Sequence, residues 1–126
     1  MAKEIIKTDQ APAAIGPYSQ AVKLGNLVFV SGQLPIDPES GNLLTGEVTP
    51  QVQVIMKNIE RILQAAGSSL DRIVKTTIYI SDMNNFPVIN EAYQAFFPEN
   101  PPARACVEVA RLPKDADVEI DAISEA

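Results

Sequence analysis

The hydrophobic and polar positions along the chain change period several times, which predicts a mixture of strands and helices. KEIIK near the start and the two halves of YSQAVKLGNLVFVSG read as strands, and the turn signal Leu24-Gly25-Asn26 predicts that the latter form a hairpin. The stretch IVKTTIYI at 73–80 alternates and is rich in β-branched residues, so it predicts another strand. ARACVEVA and DVEIDAI, joined by the turn-rich RLPKDA, predict the last two.

Two other stretches carry apolar residues at helical spacing. The first opens at Thr49-Pro50, where a hydroxyl can cap the helix and a proline is tolerated in the first turn, and Gly67 ends it. Asp82 or Asn84 is the predicted cap of the second, which PENPP stops. The predicted buried stripe of the second helix consists of Phe86, Ile89, Tyr93, Phe96 and Phe97.

Together these elements predict one α+β domain over residues 1–126, with a six-stranded, mainly antiparallel sheet and both helices on one face. With 126 residues, 46% of them hydrophobic, the chain suits a single compact core. Two helices on one side leave the β-branched side chains of the other face open. We therefore expect the chain to associate with copies of itself.

The charge of the chain narrows the classes of partner. Sixteen acidic residues against ten basic ones give a formal net charge of -6, which disfavours nucleic acid as a partner. No apolar stretch approaches the roughly 20 residues of a membrane span, and MAKEIIKTDQ lacks the apolar core of a signal peptide. We expect a cytoplasmic protein that does not bind membranes.

The absence of histidine limits the chemistry further. Without imidazole and with a single thiol, the common zinc ligand sets and the Ser-His and Cys-His nucleophile pairs are not available within this chain. Acid-base chemistry then depends on a carboxylate, Tyr, Lys or Cys. The lone Cys106 cannot form an internal disulfide, which agrees with a reducing compartment.

The strand within NPPARACVEV at 100–109 places Arg104, Cys106 and Glu108 on one face. The small and branched residues of the other face are the predicted core set: Ala103, Ala105, Val107 and Val109. If the last two strands form a hairpin that pairs 109 with 118, Arg104 and Glu119 share a face. They then lie about 13 Å apart at ~3.3 Å per residue, and could flank a small molecule.

Plain structural interpretations of the same residues remain open. Arginine and glutamate on a sheet face are commonly solvated or ion-paired, which would account for Arg104 and Glu119. Cys106 can be a small buried hydrophobic residue, because nothing near it in sequence lowers its pKa. The remaining candidates also fit ordinary hairpin positions: Tyr18, Ser31 and Gly32.

Three stretches resemble the signature motifs of one family. IGPYSQAV at 15–22, VSGQLPID at 30–37 and PPARACVEVARLPKDADVEIDAI at 101–123 are similar to those of the RidA family, also called YjgF, of reactive-intermediate deaminases. The similarity spans nearly the whole chain. It implies a chorismate-mutase-like fold assembled as a homotrimer, with one site in each cleft between neighbouring subunits.

The resemblance also implies roles for single residues. Arg104 matches the arginine that binds the substrate carboxylate, and Glu119 matches the acid that handles water. The positions that match the lining of the cleft are Tyr18, Ser31, Gly32, Asn90 and Cys106. The implied reaction is hydrolysis of 2-iminobutanoate or 2-iminopropanoate, formed from enamines that pyridoxal-phosphate-dependent dehydratases release, to 2-oxo acids and ammonia. Neither a metal nor an organic cofactor is required.

Two other functions stay open. A regulatory trimer could use the same arginine to bind a small carboxylate without turnover. Some relatives are described as translation inhibitors, which would fit a ribonuclease. The net charge, the lack of histidine and the lack of a basic run with interleaved aromatic residues argue against the ribonuclease.

Overall fold

The structure is a computed structural model that describes residues 2–126, and it contains six strands and two α-helices. The strands are β1 (Glu4–Ile6), β2 (Ala21–Leu24), β3 (Leu27–Gln33), β4 (Ile73–Ile80), β5 (Ala103–Glu108) and β6 (Val118–Glu125). The helices are α1 (Val48–Ala65) and α2 (Phe86–Gln94). This confirms the predicted α+β class with six strands and two helices.

The strands form one sheet in the order β1-β2-β3-β6-β4-β5. All neighbours are antiparallel except β4 and β5, which run parallel. The predicted hairpin between the last two strands is therefore wrong, because β6 lies between β3 and β4. Val118, Ile120 and Ala122 of β6 are almost completely buried, as a central strand requires, whereas most of β5 is exposed at the sheet edge.

Both helices pack on the same face of the sheet. The buried stripe of α1 includes Val52, Ile55, Met56, Ile59, Ile62 and Leu63, and the helix contacts β3, β6 and α2. The helix begins at Val48 without a side-chain cap, so the predicted Thr49 cap is wrong. Asp82 caps the short 3-10 helix Met83–Asn85 that leads into α2, since its side chain accepts a hydrogen bond from the Asn84 amide at 2.9 Å. The α-helix itself begins at Phe86 after Asn85 without a side-chain cap, so the prediction that Asp82 or Asn84 caps it is wrong.

The second helix is shorter than its apolar pattern suggests. It ends at Gln94, so Phe96 and Phe97 belong to the turn that follows it, and Phe97 is buried there. Within residues 2–126, neither helix is long and apolar enough to cross a membrane.

Within residues 2–126, no helix packs on the opposite face of the sheet. Large apolar side chains are at least two-fifths exposed on it: Ile5, Leu24, Leu27, Phe29 and Val107. Register places these residues on one side, since Ile5 pairs with Val22, Val22 with Phe29, and Leu24 with Leu27. This uncovered face is the feature that predicted self-association.

Candidate functional site

A cleft of about 830 Å³ beside β3 and β6 brings together four of the seven candidate residues. Its lining includes Tyr18, Ser31, Gly32 and Glu119. The first comes from the loop before β2, the next two from β3, and the last from β6. Gly32 and Glu119, which are 87 positions apart in sequence, therefore meet because β6 pairs with β3.

The loop that carries Tyr18 is held in place by the buried side chain of Gln20. The Gln20 Oε1 accepts a hydrogen bond from the Thr8 amide at 2.7 Å, and its Nε2 donates to the Thr8 and Pro12 carbonyls at 3.0 and 2.8 Å. Ser31 joins the loop to β3, since its Oγ donates to the Ser19 carbonyl at 2.5 Å. Tyr18 thus stands at the cleft, about half exposed, on a fixed backbone.

Gly32 allows the Glu119 carboxyl to lie directly against the backbone of β3. A Cβ at position 32 would overlap Glu119 Oε2 and would lie 2.8 Å from its Cδ. The β3–β6 register shifts between Val30 and Gln33, so the glycine sits at an irregularity of the ladder. A side chain at position 32 would occupy the space of the carboxyl.

The environment of Glu119 raises the pKa of its carboxyl. Partial burial is the main cause, and the nearby charge of Asp121 adds to it. Tyr79, which pairs with Glu119 across the sheet, donates its hydroxyl to Asp121 Oδ2 at 3.1 Å. A carboxyl with a raised pKa is suited to exchange protons near neutral pH.

The other three candidates, Asn90, Arg104 and Cys106, form a second group between α2 and β5. The Arg104 Nη1 donates to Asn90 Oδ1 at 2.6 Å. Its guanidinium carbon lies 5.5 Å from the ring centroid of Phe86 and 5.3 Å from that of Tyr93. Cys106 packs against the core, and burial raises the pKa of its thiol while Arg104 opposes the rise.

The two groups lie on opposite faces of the sheet within one chain. Thr76 of β4 pairs with Arg104, whereas Tyr79 of the same strand pairs with Glu119. Positions 76 and 79 point to opposite sides because side chains alternate along a strand. The expectation that Arg104 and Glu119 share a face is therefore wrong.

The predicted core face of β5 is also wrong. Arg104 and Cys106 do share a face, but it is the one that packs against α2, while Ala103, Ala105 and Val107 are exposed on the uncovered face. The physical reason is the aromatic surface of α2, because the Arg104 guanidinium lies over the rings of Phe86 and Tyr93. Glu108 accepts a hydrogen bond from the Met83 amide at 2.7 Å, which gives it a structural role.

The sequence interpretation treated Phe86 and Tyr93 as core residues only. Together with Asn90 they lie at positions i, i+4 and i+7 of α2, which is a single stripe of the helix, and all three contact Arg104. This spacing was the signal in the sequence that could have identified Phe86 and Tyr93 as neighbours of the site. The cleft lining also includes Ile15 and Lys114, which no spacing had indicated.

Comparison with known proteins gives one consistent family. Residues 8–126 match the family model described as Endoribonuclease L-PSP. A RutC family protein of Pyrococcus abyssi is 52% identical over 124 residues, which cover 98% of each chain. The 2-iminobutanoate/2-iminopropanoate deaminase of Salmonella typhimurium is 49% identical over 122 residues, which cover 94% of each.

Solved structures agree with the sequence match. The structure of a Rid family protein of unknown function from Yersinia pestis superimposes with a TM-score of 0.97 at 44% identity, covering 99% of this chain and 100% of that one. Agreement of sequence and fold over nearly the whole length means that this chain belongs to the Endoribonuclease L-PSP family, the RidA or YjgF family whose motifs it carries, and some of whose members are named as imine deaminases.

Proposed function

We propose that this protein hydrolyses small 2-imino acids, such as 2-iminobutanoate and 2-iminopropanoate, to 2-oxo acids and ammonia. The observation that carries the proposal is that the Arg104 guanidinium is held in place by Asn90 without a carboxylate partner among the described residues. Within residues 2–126 this guanidinium forms no ion pair with a carboxylate, whereas Arg72 and Arg111 pair with Glu125 and Asp115 at 2.9 and 2.6 Å. An oriented guanidinium with free donors can bind a small carboxylate through two parallel hydrogen bonds.

The carboxyl of Glu119 supplies the proton transfers. In the first step Glu119 takes a proton from water as the water oxygen bonds to the C=N carbon, and it passes that proton to the imine nitrogen. In the second step it takes the proton of the new hydroxyl as the C=O bond forms and gives it to the nitrogen as the C–N bond breaks, so ammonia leaves and the carboxylate is regenerated. One imino acid and one water thus give one 2-oxo acid and one ammonia. The raised pKa of Glu119 makes its carboxylate a better base than an ordinary one.

Modest assistance is enough for this reaction. Imines hydrolyse in water without a catalyst, so positioning of the carboxylate at Arg104 and proton transfer at Glu119 are sufficient to accelerate the reaction. The name of the relative from Salmonella typhimurium supports the choice of substrate.

A site that contains both charged residues requires two chains. Arg104 and Glu119 lie on opposite faces of one protomer, so the Arg104 group of one subunit would complete the cleft of its neighbour. A homotrimer with three such sites would also bury the uncovered apolar face of the sheet. Light scattering should then give three times the mass of the chain, and a stable monomer at micromolar concentration would contradict the shared site.

Ammonia release from freshly generated 2-iminobutanoate tests the reaction. The expected result is a rate proportional to protein concentration and well above the spontaneous rate, with Arg104→Ala as the inactive control. Binding of 2-oxobutanoate without any acceleration would instead identify a carboxylate-binding regulatory protein. RNA cleavage without imine hydrolysis would contradict the proposal outright.

A further inference from the structure

We propose that Phe86 and Tyr93 are positioning residues that fix the plane of the Arg104 guanidinium so that its free edge receives the substrate carboxylate. The inference rests on the proposed function and adds residues to its site. Both rings lie within cation-π distance of the guanidinium carbon, at 5.5 and 5.3 Å, and Asn90 Oδ1 holds Nη1 at 2.6 Å.

Aromatic rings hold a cation without neutralising it. A carboxylate partner, such as those of Arg72 and Arg111, occupies the donors that a substrate would need. Ring faces attract the guanidinium through their quadrupole and leave its N–H edge free. Asn90 uses one donor and adds no charge. The guanidinium therefore keeps both its charge and most of its donors.

Tyr93 is itself fixed from two sides. Its hydroxyl and Thr76 Oγ1 form a buried hydrogen bond of 2.7 Å, and its ring packs on Phe97 with a centroid distance of 4.9 Å. Thr76 is the residue of β4 that pairs with Arg104 of β5. The Tyr93 ring is thus anchored to Thr76, the residue that pairs with Arg104 in the sheet, and this pairing sets the distance between the ring and the arginine.

Burial raises the pKa of the Tyr93 hydroxyl above its ordinary value, although the Thr76 hydrogen bond and the charge of Arg104 oppose the rise, so the hydroxyl is neutral at neutral pH. A phenolate would compete with the substrate carboxylate for the guanidinium, whereas the neutral hydroxyl does not. The hydroxyl therefore anchors the ring, while the ring face contacts Arg104.

Leucine variants at the two ring positions test the role, with Phe97→Leu as the matched control. Phe97 belongs to the same aromatic cluster through Tyr93, but the rings that lie over the Arg104 guanidinium among the described residues are those of Phe86 and Tyr93. We expect Tyr93→Leu and Phe86→Leu each to raise the Kd of 2-oxobutanoate and the KM of the imino acid about 10-fold. The kcat should change less than the KM.

The control should separate positioning from stability. Phe97→Leu is expected to lower the Tm at least as much as Phe86→Leu, because Phe97 is more deeply buried. It should raise the Kd by less than about threefold, because the Thr76 hydrogen bond still holds the Tyr93 ring over Arg104. Tyr93→Phe keeps the ring and should bind within about threefold of the wild type. If Tyr93→Leu does not fold, Phe86→Leu and Tyr93→Phe still decide the matter.

A spectroscopic measurement tests the geometry without reference to catalysis. The Arg104 Nε–H resonance should carry an upfield ring-current shift in the wild-type trimer. The shift should fall in Phe86→Leu and Tyr93→Leu but persist in Phe97→Leu. Unchanged resonance and unchanged Kd in the ring variants would overturn the positioning role. A wild type that neither binds 2-oxobutanoate nor turns over imine, with the shift present, would overturn the proposed function and keep the ring contacts.

Discussion

The contact between Gly32 and Glu119 makes Gly32→Ala a sharp test of the acid-base role. The added methyl carbon would overlap Glu119 Oε2 and lie 2.8 and 3.2 Å from Cδ and Cγ, so the carboxyl must move. Overpacking typically costs about 1 to 3 kcal/mol. Because Glu119 is half-buried and can rotate toward the cleft, we expect roughly 1 kcal/mol, equivalent to about 4 °C in Tm.

The effect on activity should be much larger than the effect on stability. Displacement of a catalytic group by about 1 Å can lower a rate 100-fold, so we expect kcat/KM to fall on the order of 100-fold. Ammonia release measures kcat/KM, and calorimetry with 2-oxobutanoate measures binding. Gly46→Ala is the matched control. Its φ of +89° makes the variant strained, but no atom lies within 4 Å of the new Cβ, so stability should fall while kcat/KM is kept.

A double-mutant cycle shows whether the loss acts through the carboxyl. In a Glu119→Ala background the methyl group meets no carboxyl, so Gly32→Ala should have little further effect on stability or rate. Full activity of Gly32→Ala, or an equal loss of rate in both backgrounds, would refute the reasoning.

Four further predictions concern the charged residues and the thiol. Arg104→Lys should lower kcat/KM roughly 30-fold or more, because an ammonium cannot reproduce the planar fork of a guanidinium. Glu119→Gln should still bind 2-oxobutanoate but lose about 100-fold in turnover. Normal turnover of Glu119→Gln in an intact trimer would contradict the proton-transfer role of Glu119. Cys106→Ala should keep most activity, since burial raises the pKa of the thiol, and a loss near 1000-fold with the fold intact would make it a nucleophile. If Glu119 acts as the base of the proposed reaction, activity is lost as pH falls through its raised pKa. Asp121→Asn removes one cause of the rise and should therefore move the acid limb of kcat/KM to lower pH, and an unmoved or higher limb would contradict this.

Local patterns predicted the elements of the fold well, and the pairing of the strands poorly. The alternation in β4 and β6 and the helical stripe of α1 depend on near neighbours, so the sequence contains them. The position of β6 depends on a competition over the whole sheet. A hairpin to β5 would have left Val118 and Ile120 near an edge, whereas insertion between β3 and β4 buries them completely.

Prediction of the site from the sequence was limited by the same lack of information on long-range pairing. Parity correctly joined Arg104 with Cys106, but the face they occupy depends on where α2 lies, which no local pattern sets. The contact of Gly32 with Glu119 likewise follows from the β3–β6 pairing. The resemblance named both residues without giving the reason, which is the space that a side chain would take from the carboxyl.

Subunit complementation tests the shared site most directly. Arg104→Ala and Glu119→Gln subunits are each expected to be inactive alone, and they are mixed one to one after unfolding and refolded together. In a ring of three, a site is complete when one neighbour supplies Arg104 and the other supplies Glu119, so about a quarter of the sites should be restored. Ammonia release near that fraction of the wild-type rate is the predicted result. Mixed trimers, verified by mass, that stay as inactive as the two parents would contradict the account.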